Sequence, residues 1–182
     1  MEEETNYKLN EFMEDICQMD LSEFELEGNL NLKKFKHLQK IDCSYNSIKK
    51  ISGLSDNINI LDCSNNQLVK LCKLPNELKN LNCSKNSIKT LNNLNPGIVR
   101  LDCSYNEIKK LNNLPCTLLY LDCSWNKIKN LDFLPNSLTQ LICTNNYIIN
   151  LDNLPNTLEF IDCKFNKIKS LNLLSSNVEH VE

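Results

Sequence analysis

The chain has 182 residues, 41% of them hydrophobic and 24% charged, which suits one globular domain with a sizeable core. A formal net charge of -3 gives no overall pull toward nucleic acid or an anionic membrane, and no apolar run is long enough to span a bilayer. The opening Met1-Glu2-Glu3-Glu4 lacks the basic and apolar regions of a secretory signal, so a cytoplasmic location is expected.

Residues 1–23 form the first element. Within 5–19, Leu9, Phe12, Met13, Ile16 and Cys17 follow the i, i+3, i+4, i+7, i+8 spacing of one apolar helical face. Glu2, Glu3 and Glu4 fall before or in the first turn, where the helix dipole favours them. The pattern predicts an amphipathic helix that caps the open end of the following structure; docking of a partner helix is the alternative use of the same face.

From residue 24 onward the chain is repetitive. Phe24-x-Leu26-x-x-Asn29 reads as a degenerate first unit, which leads through Leu32, Phe35 and Leu38 into Ile41 about four residues early. After it, Cys43, Cys63, Cys83, Cys103, Cys123, Cys143 and Cys163 recur every 20 residues. Asn46 to Asn166 and Ile41 to Ile161 keep the same step, as does the Ile/Leu row from Ile48 to Ile168. A period sustained in this way signals a stack of identical small units. One unit reads Leu118-x-x-Leu121-x-Cys123-x-x-Asn126-x-Ile128-x-x-Leu131-x-x-Leu134-Pro135. In it, Leu121 and Cys123 alternate with Asp122 and Ser124, the period of two expected of a short strand with one buried face. Stacked units pair these strands in parallel, roughly 4.8 Å apart. The return is too short for a full helix, and Pro75, Pro115, Pro135 and Pro155 favour extended or turn structure there. Ser55 lacks the ring and Pro96 is shifted by one, so those two units are expected to bend differently. A partial last unit ends at Val178-x-x-Val181-Glu182, and its open parallel edge is a candidate for self-association.

Both polar rows have structural readings. Asn, about one residue in six overall, sits where the chain leaves the strand, and its amide can serve unpaired backbone groups of adjacent turns. Inward Cys is a small apolar residue on a narrow strand face. A straight ladder of thiols lacks the tetrahedral convergence of a zinc site, so no metal and no cofactor is expected, and a reduced core fits an intracellular protein.

The unit resembles the leucine-rich-repeat consensus, with Cys in the second apolar position of the strand. The 20-residue period is similar to that of the shortest class, found in bacterial effectors of the YopM and IpaH type. The wording LDCSxNxIxxLxxLP is similar to repeat proteins of giant DNA viruses. The resemblance covers roughly residues 24–181. It implies an α/β leucine-rich-repeat solenoid: an N-terminal capping helix over 1–23, then a curved stack of short parallel strands with mostly non-helical returns over 24–182. It also implies a protein-interaction module that binds a macromolecular partner on its concave face, in the host-cell cytoplasm if the chain is an effector or viral.

Four columns of side chains are expected on that face. Lys40, Ile60, Asn80, Arg100, Tyr120, Gln140 and Phe160 form the first, and Asp42, Asp62, Asn82, Asp102, Asp122, Ile142 and Asp162 the second. Ser44, Ser64, Ser84, Ser104, Ser124, Thr144 and Lys164 form the third, and Tyr45, Asn65, Lys85, Tyr105, Trp125, Asn145 and Phe165 the fourth. Columns one and four vary and must carry any discrimination. Tyr105, Tyr120, Trp125, Phe160 and Phe165 form the candidate partner-binding patch, with Arg100 and Asp122 at its rim, because exposed aromatics dominate interface energetics. The bland alternative is that these rings only shield the sheet. The Asp column repels itself unless Ser hydroxyls or cations offset it, and it suits a protein partner with a basic surface.

Lys49, Lys50, Lys70, Lys89, Lys109, Lys110, Lys129 and Lys169 form a stripe at the strand-leaving edge, read as a solvated flank, so neither nucleic acid nor membrane is an expected partner. No catalytic residue is assigned: His37 and His180 lie near opposite ends, with no nucleophile–base pairing evident. The alternatives are a structural or self-assembling component, or the recognition part of a larger effector such as a ubiquitin ligase, whose catalytic domain has no counterpart among these residues.

Overall fold

In the computed structural model, the described residues are 9, 12–92, 94–170, 178 and 180–181. Eleven strands occur among them. Nine make one parallel sheet: β1 (Gln18–Asp20), β3 (Lys40–Asp42), β5 (Ile60–Asp62), β6 (Asn80–Asn82), β7 (Arg100–Asp102), β8 (Tyr120–Asp122), β9 (Gln140–Ile142), β10 (Phe160–Asp162) and β11 (His180–Val181), in that order. Each pairs in register with the next, Leu101 opposite Leu121 and Leu121 opposite Leu141. The chain therefore makes one turn per repeat and lays each strand beside the last.

Packing explains why the turns must stack. The strand residues Ile41, Leu61, Leu81, Leu101, Leu121, Leu141 and Ile161 are buried. So are the rows from Leu38 to Leu158 and from Ile51 to Leu151 on the return side. Burying one such side chain contributes about 1.5–3 kcal/mol, and the cover for each comes from the turns above and below. At Ile58, Leu78, Leu118, Leu138 and Leu158 the returns are held by a tight turn, in which the Leu118 N–H donates to the Pro115 carbonyl at 3.2 Å.

Three expectations need correction. The helix over 5–19 is not formed in its C-terminal part: residues 12–17 are turns and bends, and 18–20 are β1; the remainder of that segment, residue 9 apart, lies outside the described residues. No α-helix occurs among the described residues, so the α component of the expected α/β class is not seen there. Leu9, Phe12 and Ile16 nevertheless pack on the core, while Met13 and Cys17 are exposed. The apolar spacing reported burial without helical geometry.

The first turn also begins earlier than expected. Met19, not Phe24, stands opposite Ile41, and Gln18 stands opposite Lys40, so this turn is two residues longer than the 20-residue turns rather than shorter. The additional length closes against a second, two-stranded sheet on the return side, β2 (Glu27–Asn31) with β4 (Ser47–Ser52), whose register shifts between Gly28 and Asn29.

Finally, the units at Ser55 and Pro96 turn at the same place as the others, at 56–57 and 96–97. Polar side chains replace the ring there. The Ser55 hydroxyl donates to the Lys36 carbonyl at 2.7 Å, and the Asn95 amide donates to carbonyls of the preceding turn at Pro75 and Asn76.

Candidate functional site

Two ladders of side chain to backbone bonds hold the sheet face. In the first, Asn126 bonds two turns at once: the Ile108 N–H donates to its Oδ1 at 2.9 Å, while its Nδ2 donates to the carbonyls of Cys103, Cys123 and Ser124. The same pattern recurs at Asn66, Asn86, Asn106 and Asn146. In the second, inward thiols donate to carbonyls of the following strand, as Cys103 does to Asp122 at 3.4 Å. Burial pushes the thiols of Cys43, Cys63, Cys83, Cys103, Cys123 and Cys143 upward, with neighbouring carboxylates or thiols adding to it.

The serines of the third column are not part of the outer face, whereas Thr144 is half-buried and Lys164 is exposed. Ser44, Ser64, Ser84, Ser104 and Ser124 are buried. The Ser124 N–H and hydroxyl both donate to Asp122 Oδ1, at 2.9 and 2.6 Å, and Ser104 treats Asp102 likewise. The Asp column thus serves the bend at the strand's end, an Asx-type turn, and the hydroxyls offset part of its repulsion. Asp122 still has its carboxyl raised, by burial first and then by Asp102 and Asp162, against the lowering by Ser124.

The fourth column has a backbone feature invisible in the sequence. Tyr45, Asn65, Lys85, Tyr105, Trp125, Asn145 and Phe165 all have φ between 50 and 54°. At Asn65, Lys85, Tyr105 and Trp125 this left-handed conformation aims the carbonyl at the previous turn, so that the Asn106 N–H donates to Trp125 at 3.2 Å. Asn tolerates the region; a bulky L-residue is an outlier there, at a cost of about 1–3 kcal/mol. Tyr105, Trp125 and Phe165 accept that cost and stay exposed, Phe165 at 75%.

The residues of the candidate patch fall into separate groups. Tyr105 and Trp125 stack, with ring centroids 5.0 Å apart and planes 10° apart. Arg100 lies over Tyr120 at 3.9 Å. Burial, with Asp122 and Asp102, raises the Tyr120 hydroxyl. Phe160 and Phe165 stand beyond the turn of Gln140 and Asn145. Two neighbours belong with them: Lys85, over Tyr105 at 5.8 Å, and Tyr45, exposed at the other end of the row. Membership of the fourth column was the signal for both.

The lysines occupy a different side. A cavity of about 430 Å³ is lined by Lys89, Lys109, Lys110 and Lys127 with Glu107, which pairs with Lys127 at 3.3 Å. Among the described residues, no group of three or more His, Cys, Asp or Glu could hold a metal, and no helix is long and apolar enough to cross a membrane.

No family model matches the chain, and no curated protein matches it. Solved structures do. YopM from Yersinia enterocolitica WA-314 superposes with a TM-score of 0.80 at 32% identity, over 90% of this chain and 39% of its own. The leucine-rich-repeat domain of a Shigella effector gives 0.71 at 22%, over 85% and 71%; that likeness concerns the fold. The functional domain of InlJ from Listeria monocytogenes, which includes a cysteine ladder, gives 0.60 at 30%, over 82% and 40%. The chain thus spans about two fifths of the YopM and InlJ chains it matches.

Proposed function

We propose that this chain, a leucine-rich-repeat protein with repeats of about 20 residues structurally similar to YopM and a Shigella effector domain, is a protein-interaction module that takes its partner on the strand-lined, concave face. One observation carries the reading. Bulky rings stand at left-handed positions where Asn would cost less, and they are exposed, with Tyr105 and Trp125 stacked on each other. A conformational cost borne at the surface marks a function for the side chain. Exposed aromatics backed by a rigid sheet make good interface anchors. The adjoining carboxylates suit a partner with a basic surface, through steering and register more than through raw affinity.

The test is capture of the partner from the native cell by the wild-type chain and by a Tyr105→Ala/Trp125→Ala variant. Loss of capture with an unchanged far-UV CD spectrum is expected. Undiminished capture refutes the reading.

A further inference from the structure

The turn at 140–145 differs from both its neighbours in every outward column. Gln140 stands between Tyr120 and Phe160, Ile142 between Asp122 and Asp162, and Asn145 between Trp125 and Phe165. Two ridges, each bearing aromatic rings and a carboxylate, thus flank an uncharged trough. Asp122 and Asp162 stand on the same column, one turn to either side of Ile142. Where a turn offers a donor in the second column, its neighbour's carboxylate accepts it: the Asn82 amide donates to Asp62 Oδ2 at 2.8 Å. Ile142 has no donor to offer.

The rings are similarly open on one side. Tyr105 covers one face of Trp125 at 5.0 Å. The other face looks toward half-buried Asn145, and the next ring of the row, Phe165, is two turns on, roughly 10 Å at the usual strand spacing. A flat group can lie on Trp125 there, at about 3.5–4 Å contact. The chain's single arginine already makes this contact one column away, with the Arg100 guanidinium over Tyr120 at 3.9 Å.

Resting on the interaction-module reading, we propose that the 140–145 turn seats an arginine side chain of a basic partner segment: its guanidinium stacks on Trp125 above Asn145, and the carboxylates of Asp122 and Asp162 on the flanking turns favour its charge. Arginine fits better than lysine because the guanidinium is flat and weakly hydrated, so it stacks on a ring while keeping its charge beside the flanking carboxylates.

Trp125 is the only tryptophan, so its fluorescence reports the seat directly. The full chain is titrated with hexa-arginine and, separately, with hexa-lysine. A saturable fluorescence change is expected with hexa-arginine, and binding roughly fivefold or more weaker with hexa-lysine. Asn145→Phe, which introduces a side chain that Phe165 shows the backbone tolerates, fills the trough and abolishes the response with CD unchanged. Asp122→Asn weakens it roughly five- to tenfold and leaves the trough open. No saturable change, equal binding of the two peptides, or full binding by Asn145→Phe overturns the seat. If the seat fails while the Tyr105/Trp125 double variant still loses its partner, only this assignment falls. If hexa-arginine binds as described but partner capture survives that double variant, the seat stands and the broader reading falls.

Discussion

Asn126 Oδ1 accepts the Ile108 N–H at 2.9 Å from one turn back, while the same side chain donates to Cys103 and Cys123 on two successive turns. One amide thereby joins neighbouring repeats at a buried site. Replacing it by Ala leaves the buried Ile108 N–H without a partner, a loss worth about 1–3 kcal/mol, while the carbonyls of Cys103, Cys123 and Ser124 each lose one donor and keep another, from Asn106, Asn146 and the Tyr105 N–H. Asn126→Ala should therefore cost about 1–3 kcal/mol in urea or thermal unfolding, and Asn126→Asp a similar amount, since a carboxylate cannot donate to the carbonyls that face it. A loss below ~0.5 kcal/mol, the usual surface range, refutes the ladder's importance.

Gly53 turns the chain beside the two-stranded sheet with φ at +69°. An added Cβ would stand 2.5 Å from the Lys33 backbone nitrogen and 2.8 Å from its Cα. Both obstacles are backbone and cannot rotate away. Gly53→Ala should destabilise by roughly 2 kcal/mol or more through strain and overlap together. Gly28 has φ at +72° and open space around its Cβ position, so Gly28→Ala should lose only about 1 kcal/mol. Equal losses at the two positions would contradict this difference.

Asp122 offers a charge test. Its carboxyl is raised by burial and by Asp102 and Asp162, so the native state holds this proton to higher pH than the unfolded chain does. Stability from this group is therefore present below the ordinary Asp pKa and lost as pH rises through the elevated one. Asn82 shows that an amide makes the same bonds, with the Ser84 hydroxyl donating to its Oδ1 at 2.8 Å. Asp122→Asn should thus stabilise the chain at pH 7 by about 0.2–1 kcal/mol, the size of a cross-strand pair, with the gain vanishing at low pH. A loss of Tm at pH 7 would reverse the sign and defeat the argument.

Thiol chemistry should follow burial. Cys17 and Cys116 are exposed, whereas the strand row from Cys43 to Cys163 is buried. Iodoacetamide at neutral pH should label Cys17 and Cys116 first and the row only in denaturant, as read by peptide mass spectrometry. Labelling of Cys103 at the rate of Cys116 would show that the core opens readily.

The same thiols make the fold alkali-sensitive. Their raised pKa keeps them protonated in the native state while the unfolded chain releases protons above about pH 8.5. Stability is then fully present below that pH and falls by about 1.4 kcal/mol per pH unit for each buried thiol above it. Denaturant midpoints measured between pH 7 and 10 should drop steeply. A Cys103→Ala variant should flatten the drop, and an unchanged slope would exclude the thiols as its cause.

The repeat, the strand positions, the inward rows and the Asn ladder were legible in the chain because each depends on a period that the sequence prints directly. A turn that cannot cover its own Leu and Ile must stack, whatever surrounds it. What could not be read depended on neighbours in space. Residues 12–17 carry a helical spacing, yet they lie as turns against the first coil, because burial of Phe12 and Ile16 outweighs local propensity. Met19 rather than Phe24 takes the inward strand position of the first turn because pairing with Ile41, not motif likeness, fixes register. Tertiary structure alone decided that Ser124 is buried, that Trp125 adopts a left-handed backbone to bond the previous turn, and that Asn145 shares that backbone conformation while half-buried. Those features arise from contacts between turns, where the order of residues along the chain specifies only which side chains are present to make them.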